Sequence, residues 1–185
     1  MSFLTTARLM VRRATAHDVD LYLQLWAHPA VMQYVGFPQG MPVSRDQILA
    51  KIPQDSTGSL FDCLLVATLK SSGDSIGECK MARPDEDGIS ITDIKLLPDH
   101  WRQGYGKELK KALVNYLFTH TDCVAVQATP NKENIASIKM QEAVGGMRVG
   151  EGMTEFPESM KVYSPRPVHY YIYRVYRPGY KPPEA

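Results

Sequence analysis

Between Leu96 and Leu113 the chain reads LLPDHWRQGYGKELKKAL, and no other stretch constrains the fold as strongly. An apolar, strand-like run, ISITDIKLL, leads into it. A helical pattern follows, with Leu109, Ala112, Leu113, Tyr116 and Leu117 at the spacing of a stripe that packs on a core. Between the two stand Gly104 and Gly106 around Tyr105, with Arg102 and Gln103 before them and Lys107 after. A strand that enters a helix through glycines presents unpaired N–H groups and the positive end of the helix dipole to an anion. Glycine lets the anion reach the backbone with no Cβ between, and Arg102, Gln103 and Lys107 add donors and charge. The residues alone leave two readings open: a phosphate cradle, or a strand-to-helix connection whose glycines serve turn geometry. A nucleotide P-loop is excluded, because GxxxxGK(S/T) is absent. A dinucleotide fingerprint is excluded because its third glycine falls at Leu109, and PDHWRQ intervenes where a tight turn is needed.

The rest of the chain builds a mixed sheet around this junction. RLMVRRA is a short strand, and Thr15 with Asp18 forms a capping box ahead of Val19, Tyr22, Leu23 and Trp26 at helical spacing. HPAVMQYVGFPQGMPVS reads as a loop-rich connection, and Ser44 with Gln47 caps a second helix. LFDCLLVATLK, IGECKMAR and ISITDIKLL, separated by SSGDS and PDEDG turns, read as a three-stranded antiparallel meander. Beyond the glycine loop, CVAVQAT is an interior strand, NIASIKMQEAVGG a helix stopped by Gly145 and Gly146, and MRVGE and VHYYIYRVYR late strands. The strand–helix–strand order in this half implies one parallel pair. The fold class is therefore α/β (α+β) with helices on both faces of the sheet. One domain is expected over residues 1–177, with a frayed Pro-rich tail over 178–185.

Composition narrows the partners. Lys plus Arg is 21 and Asp plus Glu is 20, so nothing favours nucleic acid or an anionic membrane. No run approaches the roughly 20 apolar residues of a membrane helix, and the N-terminus carries no signal-peptide pattern. Cys63, Cys79 and Cys123 are scattered and read as small buried hydrophobes of a cytoplasmic protein. No CxxC, HxH or HxxxH appears, so no metal site is expected.

LLPDHWRQGYGKEL resembles the coenzyme A pyrophosphate loop of the GNAT superfamily of N-acetyltransferases, whose pattern is Q/R-x-x-G-x-G/A. Three further stretches agree in order and spacing. TARLMVRRATAHDVDLYLQLWAHPAVMQYV resembles the opening of the branch that includes the ribosomal-protein N-terminal acetyltransferases (RimJ/RimL-like). PNKENIASIKMQEAVGGMRVGE is similar to its N-x-x-S helix, with Asn134 and Ser137 in the matching places, and YYIYRVYR to its closing strand. The resemblance runs from about Ala7 to Arg177. Three positions depart from the pattern. Trp101 stands where Gln or Arg is usual, Gln141 where many members carry a tyrosine acid, and Ser90 where some carry a base on the central strand.

The resemblance implies a mostly antiparallel sheet splayed at one strand pair. It implies acetyl-CoA as co-substrate and a primary amine as acceptor, either a protein N-terminus or a small molecule. The amine would attack directly, through a tetrahedral intermediate. It places the pyrophosphate on Arg102, Gln103, Gly104, Tyr105, Gly106 and Lys107, and backbone groups near Ile94 and Leu96 on the oxyanion and the pantetheine. Asp93 would be the base, directly or through water, or else a solvated or ion-paired strand-end carboxylate. Ser137 donates to the leaving thiolate or bonds back to its own turn; Asn134 binds the pantetheine, caps its helix, or does both. The FPQGMP loop and the segment EGMTEFPESMKVYSPRP would wall the acceptor, with Glu151, Glu155 and Glu158 favouring a cation or simply solvated. Monomer and homodimer both remain open. The alternative to an enzyme is a non-catalytic acyl-CoA-binding module of the same fold.

Overall fold

Asp18 shows how local chemistry opens the fold. Its carboxylate accepts from the Thr15 N–H and hydroxyl at 2.8 and 2.9 Å, and from both arms of Arg12 at 2.7 and 2.8 Å. This ties strand β2 (Leu9–Arg13) to the start of helix α1 (Val19–Ala27). Burial alone would raise the Asp18 pKa, but the hydrogen bonds from Arg12 and Thr15 outweigh it and hold the carboxyl below 3.8. A depressed carboxyl stabilises the fold above its unfolded pKa, and that contribution is lost as pH falls through the folded value. Asp18→Asn should therefore cost about 1–3 kcal/mol at neutral pH. The deficit against wild type, read by thermal melts, should shrink below pH 3.8.

The computed structural model describes residues 4–52 and 58–181. Its remaining elements are β1 (Leu4–Thr5), α2 (Pro29–Met32), α3 (Arg45–Leu49), β3 (Leu65–Leu69), β4 (Ser75–Met81), β5 (Ile89–Leu96), α4 (Tyr105–His120), β6 (Ala125–Ala128), α5 (Ile135–Glu142), β7 (Met147–Thr154) and β8 (Val168–Tyr176). The strands form one sheet in the order β1-β2-β3-β4-β5-β6-β8-β7. All neighbours are antiparallel except β5 and β6, the expected parallel pair. One face packs Val19, Tyr22, Leu25 and Trp26 of α1 with Ile48 of α3. The other packs Leu109, Leu113, Val114 and Leu117 of α4.

The sheet opens at one place. β6 pairs with β5 only across Ile89–Ile91, whereas β4 pairs with β5 from Thr92 to Leu96. β6 ends at Ala128, and Pro130 just beyond it has no N–H to extend the ladder. Ala82 N–H donates to Ile91 O and Leu97 N–H to Ile76 O, both at 2.9 Å. Odd-numbered β5 residues therefore turn their polar backbone toward β4, and the amides of Ile94 and Leu96 turn toward the gap.

Three details differ from the sequence reading. The LFDCLLVATLK run is a strand only over Leu65–Leu69, because Asp62 adopts a left-handed φ of 56° and bends the chain before it. The HPAV connection holds the short helix α2, started by Pro29 and by His28 Nδ1, which accepts from Ala30 N–H at 3.2 Å. Arg177, just before the tail, donates to the carbonyls of Cys123, Phe118 and Thr121; within the tail Tyr180 stacks on Tyr176, and its N–H donates to Arg177 O at 3.0 Å. The last four tail residues lie outside the described range. Cys79 and Cys123 are buried, Cys63 is half-buried, and all three are free thiols. Among the described residues no helix is long and apolar enough to cross a membrane.

Candidate active site

The glycine loop turns through two left-handed residues, Arg102 at φ 59° and Gly104 at φ 81°. Gly104 is the N-cap of α4, and no side chain caps the helix there. Its first-turn N–H groups thus face outward beside exposed Arg102 and Lys107. Among the described residues a Cβ built on Gly104 would meet a single neighbour, Arg8 Nη2 at 3.3 Å, so the space before the backbone is open. At Gly106 a Cβ would meet Met140 Sδ at 3.2 Å, because α4 and α5 close together there.

Arg8 braces this loop, a role the linear sequence does not signal. Its Nε pairs with Glu108 at 2.6 Å, its Nη1 donates to Gln103 O at 2.9 Å, and its guanidinium lies 4.3 Å from the Tyr105 ring centre. The pairing offsets an acidic residue that would otherwise repel an anion from the first turn. The Gln103 side-chain nitrogen donates to Asp99 O at 2.8 Å, so Gln103 anchors the loop. Trp101, the departure from the motif, donates its indole N–H to Leu96 O at 2.7 Å and pins the end of β5.

The gap between β5 and β6 is a cleft of about 190 Å³. It brings together Asp93 and Ile94 of β5, Asn134, Ser137 and Gln141 around α5, and Lys110 of α4. Leu96 is the last residue of β5, and its Cδ1 would lie 3.9 Å from a Cβ built on Gly106 of the glycine loop. Asn134 caps α5, its Oδ1 accepting from Ser137 N–H at 3.0 Å. The Ser137 hydroxyl makes no hydrogen bond back to its own helix among the described residues, which leaves it free to act in the cleft. Ser90 is buried and donates to Ala82 O at 2.7 Å, so it is committed to the sheet.

Asp93 is half exposed and pairs with Lys95. It also accepts from the Ile94 N–H at 3.0 Å. Burial works to raise its pKa, but the charge and hydrogen bond of Lys95, with Lys80 and the Ile94 amide, bring it below its ordinary value. Asp93 is thus ion-paired, and its carboxylate is ionised at neutral pH. Lys95 also pairs with Glu78 Oε1 at 2.9 Å; Glu78 is buried, and its Oε2 has no partner among the described residues.

A second cavity, of about 670 Å³, shares Tyr34 and Asn131 with the cleft. Gly36, Pro38 and the stretch Pro165–His169 line it. Two of the acidic residues suggested for a cationic acceptor are already paired, Glu151 with Lys132 and Arg148 and Glu158 with Lys161. Among the described residues no group of three His, Cys, Asp or Glu side chains is arranged to hold a metal ion.

Residues 8–147 match the acetyltransferase (GNAT) domain family. The chain belongs to the GNAT acetyltransferases. It is an acetyl-CoA-dependent acyltransferase by that membership. An uncharacterized N-acetyltransferase, p20, of Bacillus licheniformis is 27% identical over 155 residues, covering 81% of this chain and 85% of that protein. Among solved structures, the GNAT acetyltransferase of Bacillus anthracis superposes with a TM-score of 0.77 at 18% identity, over 95% of this chain and 98% of that one. Spermidine N-acetyltransferase from Vibrio cholerae, solved with CoA and spermine, gives 0.75 at 16% identity, over 92% and 96%. At these identities the superpositions establish the fold, an eight-stranded, mostly antiparallel sheet shared with these GNAT structures.

Proposed function

We propose that the chain transfers the acetyl group of acetyl-CoA to a primary amine, by direct attack, in the cleft between β5 and β6. The observation that supports this most is the continuity of one path: an uncapped helix N-terminus, then backbone amides aimed into a gap, then a polar α5 face. The α4 amides, with Gly104, Gly106, Arg102 and Lys107, hold the pyrophosphate; Gln103 and Tyr105 shape the loop. The Ile94 and Leu96 amides serve the pantetheine and the developing oxyanion, where a preorganised donor is worth about 3 kcal/mol. The carboxylate of Asp93 must leave the Ile94 amide for that donor to act. Asn134 binds the pantetheine arm through the amide nitrogen that capping leaves over, and Ser137 donates to the sulfur. Acetyl-CoA supplies an acyl group activated as a thioester.

The amine must arrive neutral. An α-amine with a pKa of roughly 8 is partly neutral at pH 7, whereas a lysine side chain near 10.4 is mostly charged. The ionised Asp93, too weak a base to keep the proton, orients the water through which the proton leaves and stabilises its charge on the way. The larger cavity is the acceptor's entry, and the spermine-bound neighbour supports a small cationic amine as readily as a protein N-terminus. Domain limits at residues 1–177 and a cytoplasmic setting belong to the same reading.

Free-CoA release from acetyl-CoA with a panel of amines tests it, alongside calorimetry of CoA. Saturable release with an acetylated product is expected. CoA binding without turnover on any amine would leave the non-catalytic module. Ser137→Ala should lower kcat about tenfold with the acetyl-CoA Kd unchanged, because a thiolate develops charge late. Full activity with an unchanged or higher Tm would remove Ser137 from the mechanism.

A further inference from the structure

The mechanism above leaves three titratable side chains of the cleft idle, Tyr34, Lys95 and Lys110, and the setting of Lys110 is unusual. It is 1% exposed and lines the same gap as Ser137 and Gln141. It sits one helical turn after Gly106, on the α4 face that meets α5 and β5. Its Nζ donates to Thr92 Oγ1 at 2.5 Å, and it forms no ion pair among the described residues. An ammonium carries three N–H donors, and Thr92 takes one. A buried cation without a counterion is costly, and such costs concentrate where chemistry uses them.

We propose that Lys110 is the proton donor to the departing sulfur of the thioester, and thus a catalytic residue. This rests on the acetyl-transfer reading above. The other α5 candidates cannot deliver a proton: Gln141 is an amide, and the Ser137 hydroxyl can hydrogen-bond a thiolate but holds its own proton too tightly. Thr92 and Asp93 are successive in β5, so their side chains leave on opposite faces of the sheet. The amine therefore loses its proton on the Asp93 face, and the sulfur gains one on the α4 face. As the N–C bond forms and the C–S bond breaks, the bonding pair goes to sulfur and the Lys110 Nζ proton follows it. The attacking nitrogen's proton leaves through water, and solvent reprotonates Lys110.

The charged groups around Lys110 fit this duty. Burial lowers its pKa to about 8, with the Asp93 carboxylate opposing. Lys95 lies beyond Asp93 and is neutralised by it and by Glu78. The α5 residues of the cleft, Asn134, Ser137, Met140 and Gln141, do not titrate, and Glu142 is turned away to accept from Tyr173 Oη at 3.0 Å. Lys110 is thus mostly charged at pH 7 and matched to a thiol with a pKa of roughly 8.5.

The test is an ultraviolet titration of the CoA thiol in the binary complex, as the difference between CoA-bound and free protein. In wild type the bound thiol should titrate about one pH unit or more below free CoA, because an ammonium beside it favours the thiolate. In Lys110→Met that shift should vanish, while CoA affinity at pH 6 stays within about threefold by calorimetry. The alkaline limb of the kcat profile should vanish with it. Identical bound-thiol titrations in both proteins would overturn the proposal. Failure of wild type to bind CoA would instead overturn the acetyl-transfer reading. Should Lys110→Met not fold, Lys110→Gln replaces it, and a wild-type bound thiol that titrates as free CoA is by itself decisive against Lys110.

Discussion

Asp93→Asn should lower turnover about 100-fold with little change in CoA affinity. The carboxylate is half exposed and lines the cleft, and the amine's proton leaves past it. Because Lys95 holds Asp93 below its ordinary range, the acidic limb of the pH–rate profile belongs to the acceptor amine and should not move. The alkaline limb should move, and its direction follows from the charges. Asp93 raises the pKa of Lys110, so its removal lets that pKa fall and brings the loss of the ammonium to lower pH. Unchanged turnover and an unmoved alkaline limb would make Asp93 a structural partner of Lys95 alone.

Gly104→Val should weaken CoA binding at least tenfold while the protein stays folded. Gly104 has a φ of 81°, where an L side chain is strained by about 1–2 kcal/mol. Among the described residues nothing fills the space a Cβ would enter except the end of the Arg8 side chain. The fold therefore tolerates the substitution at that cost, and the branched methyls stand in the path of an anion approaching the α4 amides. Calorimetry with a thermal melt on the same sample checks it. Wild-type affinity in a folded variant would remove the loop from the cofactor site.

What the sequence shows and hides follows from the range of each interaction. The glycine loop, the α4 stripe and the Asn134 cap are local patterns, and each appears where its spacing puts it. The splay was carried by the family resemblance rather than by periodicity, since it arises where β6 stops at Ala128 against a β5 that continues to Leu96. β3 is shorter than its apolar run suggests, because the run does not reveal that Asp62 turns left-handed. Arg8 and Glu78 act through partners on other elements, and no one-dimensional pattern links Arg8 to Glu108. Lys110 did leave a mark. It follows Leu109 and precedes Leu113 by three, so it lies in the apolar stripe itself, and a lysine there must find a polar partner or a function.

A crystal structure of the CoA complex tests the account most directly. The account predicts the pyrophosphate on the backbone N–H groups of residues 104–107, the pantetheine threading between β5 and β6 past Asn134, and the sulfur within hydrogen-bond reach of both Ser137 Oγ and Lys110 Nζ. A CoA bound elsewhere, or one whose sulfur lies outside the cleft that these two side chains share, would contradict it.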